Sequence, residues 1–262
     1  MTIEVVNKRK QFANQLRKAE ESLVGMPPLT SVEPTLTIKD AYSIQLENIE
    51  RKVAQGHKIV GKKIGLTSKA MQTLLGVNEP DYGHLLDSMV VENGSAVPRQ
   101  KLLQPKVEAE IAFVLKKDLI GPNVTTLDVL KATDYVVPAI EIVDSRIQEW
   151  KIQLPDTIAD NASSAFYVLG GKPAKIEDVD LELLGMVLKK NGKLVNTGVG
   201  AAALGNPAHC VAWLANRLGD FDISLRAGEV ILSGALSAAV EATEGDSFTA
   251  RFAHLGEVSV HF

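Results

Sequence analysis

Two glutamates one residue apart, Glu108 and Glu110, stand in the run Val107-Glu108-Ala109-Glu110-Ile111-Ala112-Phe113-Val114-Leu115. On a strand, alternate side chains share a face, so Val107, Ala109, Ile111, Phe113 and Leu115 line one side and both glutamates the other. Their Cα atoms then lie ~6.5–7 Å apart, from a rise of ~3.3 Å per residue, and two carboxylates at that spacing can converge on one cation. Ala112 and Val114 continue the glutamate face, which therefore does not read as fully solvated. A third carboxylate, Glu141, interrupts the apolar run Val136-Val137-Pro138-Ala139-Ile140-Glu141-Ile142-Val143. An ionised group there is expensive unless it is paired or bound to metal. Three carboxylates suit a hard divalent ion with oxygen ligands, Mg²⁺ or Mn²⁺. Zinc is less suited, because His57, His84, His209, His254 and His261 are scattered without ligand spacing. Spacing alone leaves a second reading open: Glu-x-Glu is commonly the wet face of an edge strand.

The elements that must position these groups fall into two textures. The first third reads as helical. A helix is expected over Val5–Leu23, ending before Met26-Pro27-Pro28. Thr37 and Asp40 then form a capping-box pattern ahead of Tyr42, Leu46, Ile49 and Val53 at helical spacing, with Gly56 as the stop. A third, short helix is expected from Ser68 to Gly76. From about Asn78 onward, apolar runs of strand length alternate with Gly, Pro and Asn turns. Strands are expected at Met89–Val91, Val107–Leu115, Tyr135–Val143, Ala165–Leu169, Leu184–Lys189, Val230–Leu232, Ser247–Phe252 and Val258–Phe262. Asn191-Gly192 makes a hairpin turn between two strand-like segments. Helices interrupt at Leu127–Ala132 and Pro207–Leu218, with Pro207 in the first turn, where its missing N–H costs nothing. The expected architecture is α+β: a helical N-terminal portion over 1–77 and a β-rich catalytic domain over 78–262.

Bulk properties exclude several classes. At 262 residues, 45% hydrophobic and 23% charged, the chain has an ordinary globular composition. A net charge of −4 argues against nucleic acid as the main partner. Cys210 is the only cysteine, so no intramolecular disulfide forms, and it reads as core in the apolar stretch with Val211, Trp213 and Leu214. No run approaches the ~20 apolar residues a membrane span needs, and Met1–Gln15 lacks the apolar core of a signal peptide, so a cytoplasmic setting is expected. Gly198-Val199-Gly200 is no phosphate loop, lacking the Lys-Ser/Thr ending; close backbone packing explains its small residues.

Longer motifs are family-like. Gly61-Lys62-Lys63-Ile64-Gly65-Leu66-Thr67-Ser68, Glu79-Pro80-Asp81-Tyr82-Gly83 and Pro105-Lys106-Val107-Glu108-Ala109-Glu110 closely resemble the 2-hydroxypenta-2,4-dienoate hydratases. So do Glu141-Ile142-Val143-Asp144-Ser145-Arg146, Asp156-Thr157-Ile158-Ala159-Asp160-Asn161-Ala162-Ser163 and Gly200-Ala201-Ala202-Ala203-Leu204-Gly205. These enzymes and the sister 4-oxalocrotonate decarboxylases form a branch of the fumarylacetoacetate hydrolase superfamily. The likeness runs in order from roughly Thr37 to Phe262.

The resemblance implies a mixed β-roll core with the N-terminal helices packed beside it, and Mg²⁺ or Mn²⁺ held by Glu108, Glu110 and Glu141. It implies hydration of a short 2-hydroxy-dienoate, or its 2-oxo-enoate tautomer, in the meta-cleavage degradation of aromatic compounds. In that chemistry the cation serves as Lewis acid and template for a 2-oxo acid. Lys63 becomes the candidate for the substrate's carboxylate or enolate oxygen and for proton transfer, with adjacent Lys62 the better surface lysine. Asp81 becomes the candidate general base or water-positioning group, although Pro80-Asp81-Tyr82-Gly83 alone is a turn signal. Asn161 and Ser163 are candidates for hydrogen bonds to substrate oxygens, with a helix cap at Asp160-Asn161 as the alternative. Arg146 is expected to brace the Glu141 loop through Asp144 or another acid. Decarboxylation of 4-oxalocrotonate is the sister reading, disfavoured by Asp81 and by the stretch Asp144–Ile152. A non-catalytic partner subunit is a third, opposed by retention of all three carboxylates and Lys63. Self-association into a homo-oligomer and a complex with 4-oxalocrotonate decarboxylase are further expectations.

Overall fold

The computed structural model describes residues 3–74 and 76–262. Three helices open the chain: α1 (Ile3–Ser22), α2 (Leu29–Val32) and α3 (Ile38–Ala54). Thr37 and Asp40 cap α3 reciprocally, the Asp40 N–H donating to Thr37 Oγ1 at 3.1 Å and the Thr37 N–H to Asp40 Oδ2 at 3.3 Å. Each bond satisfies a donor that the first helical turn leaves free. The buried face of α3 carries Ala41, Tyr42, Ile44, Gln45 and Ile49, whereas Val53 is exposed. That face meets Phe12, Ala13 and Leu16 of α1.

The segment expected to continue helical to residue 77 instead contains a strand, β1 (Ile59–Gly65), followed by α4 (Lys69–Leu74). Leu75, within the third expected helix, lies outside the described residues. Pro80-Asp81-Tyr82-Gly83 is likewise no turn. It opens β2 (Asp81–Leu86), every residue of which is buried. The chain continues through β3 (Val90–Val91), β4 (Lys106–Leu115), α5 (Thr126–Ala132), β5 (Thr133–Val143), α6 (Leu154–Ala159) and β6 (Ser164–Leu169). After β7 (Gly185–Lys190), β8 (Lys193–Val199) and α7 (Pro207–Gly219) come β9 (Val230–Leu232), β10 (Val240–Glu241), β11 (Ser247–Phe252) and β12 (Gly256–His261).

These strands make two sheets. The larger is mixed and curls into the β-roll, in the order β2-β1-β9-β4-β5-β6-β3 with β10 added on β4. The smaller is antiparallel, β12-β11-β7-β8. It turns at Asn191 and Gly192, whose φ of 52° and 74° suit the two-residue hairpin expected there. β4 is an inner strand paired along its whole length with β5, so its glutamates are not on a sheet edge. Pro138 fits inside β5 because the β6 ladder reaches only to Ala139.

The alternation in β4 divides the packing. Val107, Ala109, Ile111, Phe113 and Leu115 are at most 2% exposed and join the main core with α1, α3, α7 and the smaller sheet. The opposite face of the large sheet packs Leu85, Ala112, Val137, Ala139, Tyr167 and Leu232 into a second apolar cluster. Cys210 lies in the main core, and burial pushes its thiol above the usual range. Added side chains at Gly198 and Gly200 would strike the carbonyls of Leu236 and Leu181, which accounts for the small residues there. No helix among the described residues is long and apolar enough to cross a membrane.

Candidate metal and acid-base site

Backbone register brings the three carboxylates together. Glu108 on β4 is directly opposite Glu141 on β5, and Glu110 follows two residues along on the same face. One oxygen from each lies within 4.8 Å of the others. Directly opposed like charges are destabilising in a sheet. Hydrogen bonds do little to relieve them. Glu110 Oε2 accepts the Gly234 N–H at 2.8 Å, but its Oε1 and both oxygens of Glu141 are buried with no hydrogen-bond partner among the described residues. Burial, and then Glu141, push the Glu108 carboxyl up to about 7. The same two causes, with Glu108 added, hold Glu110 well above the carboxylate range. Buried anionic oxygens left unbonded and crowded to one point are what a divalent cation with oxygen ligands requires. The donor set fits such an ion.

Lys63 faces this cluster from β1. It is 3% exposed, and its Nζ lies 3.3 Å from Glu141 Oε1, without hydrogen-bond geometry. Among the described residues its ammonium makes one hydrogen bond, to the carbonyl of Ala162 at 2.9 Å. Burial works against the ammonium, but Glu141, Asp81, Glu108 and Glu110 outweigh it and hold Lys63 above the usual lysine range. Lys62 departs from its expected place at the surface. As the next residue on a strand it points to the opposite face, where it is 3% exposed and paired with Glu229 at 3.0 Å. A buried lysine needs such a partner.

Asp81 opens β2 opposite Gly65 of β1, on the same face as Lys63. Burial raises its carboxyl, with Lys63 pulling it back and Glu141 adding to the rise. Its Oδ1 is buried and without a hydrogen-bond partner among the described residues, while Oδ2 accepts a long bond from Thr157 Oγ1, at 3.4 Å. Gly65 makes room for this arrangement: a Cβ there would sit 2.2 Å from Asp81 Oδ1.

The turn between α6 and β6 closes the site. Asn161, Ala162 and Ser163 have φ of 55°, 49° and 54°, three successive left-handed residues that each carry a Cβ. The Asn161 amide accepts the His84 N–H at 2.8 Å and donates to the His84 carbonyl at 3.0 Å, tying the turn to β2. Ser163 Oγ is 3.3 Å from Thr157 Oγ1 and so stands one hydroxyl away from Asp81. Arg146 does not pair with Asp144. It pairs with Asp160, while Asp144 accepts the backbone N–H groups of Leu103 and Gln104. Thr157, Gly65 and the Gly234 N–H are the parts that motif reading passed over.

Comparison with known proteins agrees with this geometry. Residues 60–262 match the family described as fumarylacetoacetate (FAA) hydrolase, C-terminal. The chain is 52% identical over 215 residues to a 2-hydroxypent-2,4-dienoate hydratase of Pseudomonas putida, covering 82% of this chain and 97% of that one. It is 47% identical over 259 residues to a 2-hydroxyhexa-2,4-dienoate hydratase of Comamonas testosteroni, covering 97% and 98%. A solved 4-oxalocrotonate decarboxylase from Pseudomonas putida G7, complexed with magnesium and adipate, superposes with a TM-score of 0.96 at 42% identity, covering 100% and 98% of the two chains.

Proposed function

This chain belongs to the hydratase and decarboxylase branch of the fumarylacetoacetate hydrolase family, and from its site we propose that it hydrates 2-hydroxypenta-2,4-dienoate to 4-hydroxy-2-oxopentanoate with a divalent cation. The observation that carries the reading is Asp81, a buried carboxyl with an unbonded oxygen placed opposite an ammonium and three crowded carboxylates. Glu108, Glu110 and Glu141 would hold Mg²⁺ or Mn²⁺. That ion, when bound, supplies Lewis-acid stabilisation of negative charge on a 2-oxo acid.

The chain's own groups do the rest. Lys63 offers a fixed positive charge to the substrate's carboxylate or 2-oxygen, preorganised by Ala162 and Glu141 and needing no solvent rearrangement. The dienol becomes a conjugated 2-oxo-3-enoate as its hydroxyl proton leaves and C5 gains one. Water then adds at C4. Asp81 takes a proton from that water as the C–O bond forms, and C3 receives one in return, so that H and OH are added overall. Burial favours Asp81 as a proton carrier, because its raised affinity brings it nearer neutral pH. Ser163 and Thr157 orient Asp81 from behind.

The sister reading, decarboxylation of 4-oxalocrotonate, is favoured by the close superposition on a decarboxylase and would use the same carboxylates. One experiment separates them. Purified protein is given 2-hydroxypenta-2,4-dienoate with and without Mg²⁺ or Mn²⁺, and dienoate absorbance and product identity are followed. Cation-dependent formation of 4-hydroxy-2-oxopentanoate is expected. Cation-independent turnover overturns the mechanism, and CO₂ release from 2-oxo-3-hexenedioate without efficient dienoate hydration assigns the chain to the decarboxylases. We further propose a cytoplasmic homo-oligomer that associates with a 4-oxalocrotonate decarboxylase.

A further inference from the structure

The strained turn Asn161-Ala162-Ser163 has a fastening of its own, on the side away from the reaction centre. Arg146, 7% exposed, binds Asp160 by a salt bridge from Nε, and its backbone N–H donates to Asp160 Oδ2 at 2.8 Å. Its terminal nitrogens donate to the carbonyls on either side of the left-handed residues, Asp160 at 2.5 Å and Ser164 at 3.3 Å. One guanidinium therefore grips both ends of the turn, a task for a planar fork of five donors that an ammonium cannot perform. Neither Arg146 nor Asp160 hydrogen-bonds to Lys63, Asp81 or the carboxylate cluster. The turn between them bonds to Lys63, and through Thr157 it reaches Asp81. Among the described residues Ala162 supplies the only hydrogen-bond acceptor of the Lys63 ammonium, Ser163 backs Asp81 through Thr157, and Asn161 fixes the turn to β2.

A left-handed conformation is unfavourable for any residue with a Cβ, and three in succession persist only where the surroundings impose them. Gly83 shows how close the fit is. A Cβ at that position would lie 2.4 Å from the Asn161 carbonyl oxygen. Released, the turn would relax toward ordinary φ values and carry the Ala162 carbonyl away from Lys63.

We propose that Arg146 and Asp160 are positioning residues, which hold the left-handed turn 161–163 so that the Ala162 carbonyl sets the place of the Lys63 ammonium. This rests on the assignment of Lys63 to the proposed reaction, but the geometric claim can be tested without it. The test uses Arg146→Lys, with Asp160→Asn as the second variant should the first fail to fold, each alone and combined with Ala162→Gly. Glycine occupies the left-handed region without penalty, so it lessens the need for the clamp.

The expected result for either clamp variant has three parts. kcat on 2-hydroxypenta-2,4-dienoate falls about 100-fold, the scale of a small misplacement of a catalytic group. KM and Mn²⁺ affinity, the latter read by electron paramagnetic resonance, change little. The Lys63 side-chain resonances, followed by ¹³Cε–¹⁵Nζ NMR, move from their wild-type positions. Adding Ala162→Gly recovers part of the lost kcat and returns the resonances toward wild type. The proposal is overturned if the Lys63 resonances stay in place, if Mn²⁺ affinity falls in step with kcat, or if Ala162→Gly recovers nothing. Absence of dienoate hydration by the wild-type protein would refute the proposed function instead, with the NMR comparison still deciding the positioning claim.

Discussion

The two sheets treat a buried carboxylate in opposite ways. At the start of β11 in the smaller sheet, Asp246 accepts from Asn191 at 2.7 Å and from the N–H and hydroxyl of Thr243 at 2.8 Å each, and pairs with Lys190 at 2.8 Å. Burial raises its affinity for a proton, but Lys190, Thr243 and Asn191 more than offset that and hold it well below the usual range. In the larger sheet, Glu110 and Glu141 keep buried oxygens with no hydrogen-bond partner, and burial pushes Glu108 up to about 7. None of the buried side-chain atoms left unbonded among the described residues lies in β7, β8, β11 or β12. The smaller sheet follows the ordinary rule that buried polar groups are satisfied. The larger one breaks it where three carboxylates meet, and under the proposed function that breach is a binding capacity within a fold secured elsewhere.

Substitutions should separate the two regions. Glu108→Gln has the largest expected effect: Mn²⁺ affinity falls beyond the roughly 100-fold that losing an outer-shell partner costs, and turnover falls with it. The cation-free variant should melt higher than wild type at about pH 8, since a half-buried charge repelled by Glu141 has gone. Calorimetric titration and a cation-free melt read the two effects, and unchanged affinity would remove Glu108 from the ligand set. Phe248→Ala, at a fully buried position in β11, should do the reverse, lowering stability by about 3–5 kcal/mol while the folded fraction binds Mn²⁺ normally. Denaturant unfolding with a parallel Mn²⁺ titration checks it.

The contrast also predicts how pH acts. Glu108 holds its proton more tightly in the folded, cation-free chain than in the unfolded one, about 7 against 4.5. Between those values the folded state binds more protons, so this contribution is present below the unfolded value and lost as pH rises to about 7. A bound cation needs the deprotonated form, so Mg²⁺ should raise the melting temperature more at about pH 8 than at about pH 5.5. Equal shifts at both pH values would contradict the assignment. The smallest effect is expected at the hairpin. Asn191→Ala puts a residue ill suited to φ 52° in the turn and removes the bonds to Asp246 and Ser247. Stability should drop by about 1 kcal/mol, with turnover unchanged.

The sequence was easiest to read in the region that obeys local rules. Ser247–Phe252 and Val230–Leu232 match their strands to the residue, and Asn191-Gly192 makes its turn, because alternation and turn chemistry are written locally. The alternation in Val107–Leu115 likewise placed both glutamates on one face. β1 and β2 were missed because Lys62-Lys63 imitates a wet surface and Pro80-Asp81 a turn. What buries them is distant in the chain: Glu229 for Lys62, the carboxylates of β4 and β5 for Lys63. Arg146 was expected to pair with Asp144 or another acid, and the acid is Asp160, at the C-terminal cap of α6. Asn161 reads as a ligand for substrate or, with Asp160, as a helix cap, and its amide bonds the backbone of His84. The family motifs carried what periodicity could not.

Gly65 shows what such a site implies for genetic variation. The missing methyl there leaves space for the Asp81 carboxyl, on an otherwise ordinary strand whose neighbours are already in register. Any other residue at that position would intrude on Asp81 while leaving the ladder of β1 able to form. In a screen that scores abundance and turnover separately, alleles at Gly65 should cluster with those of Asp81: protein present in the cell at near-normal amount, and silent.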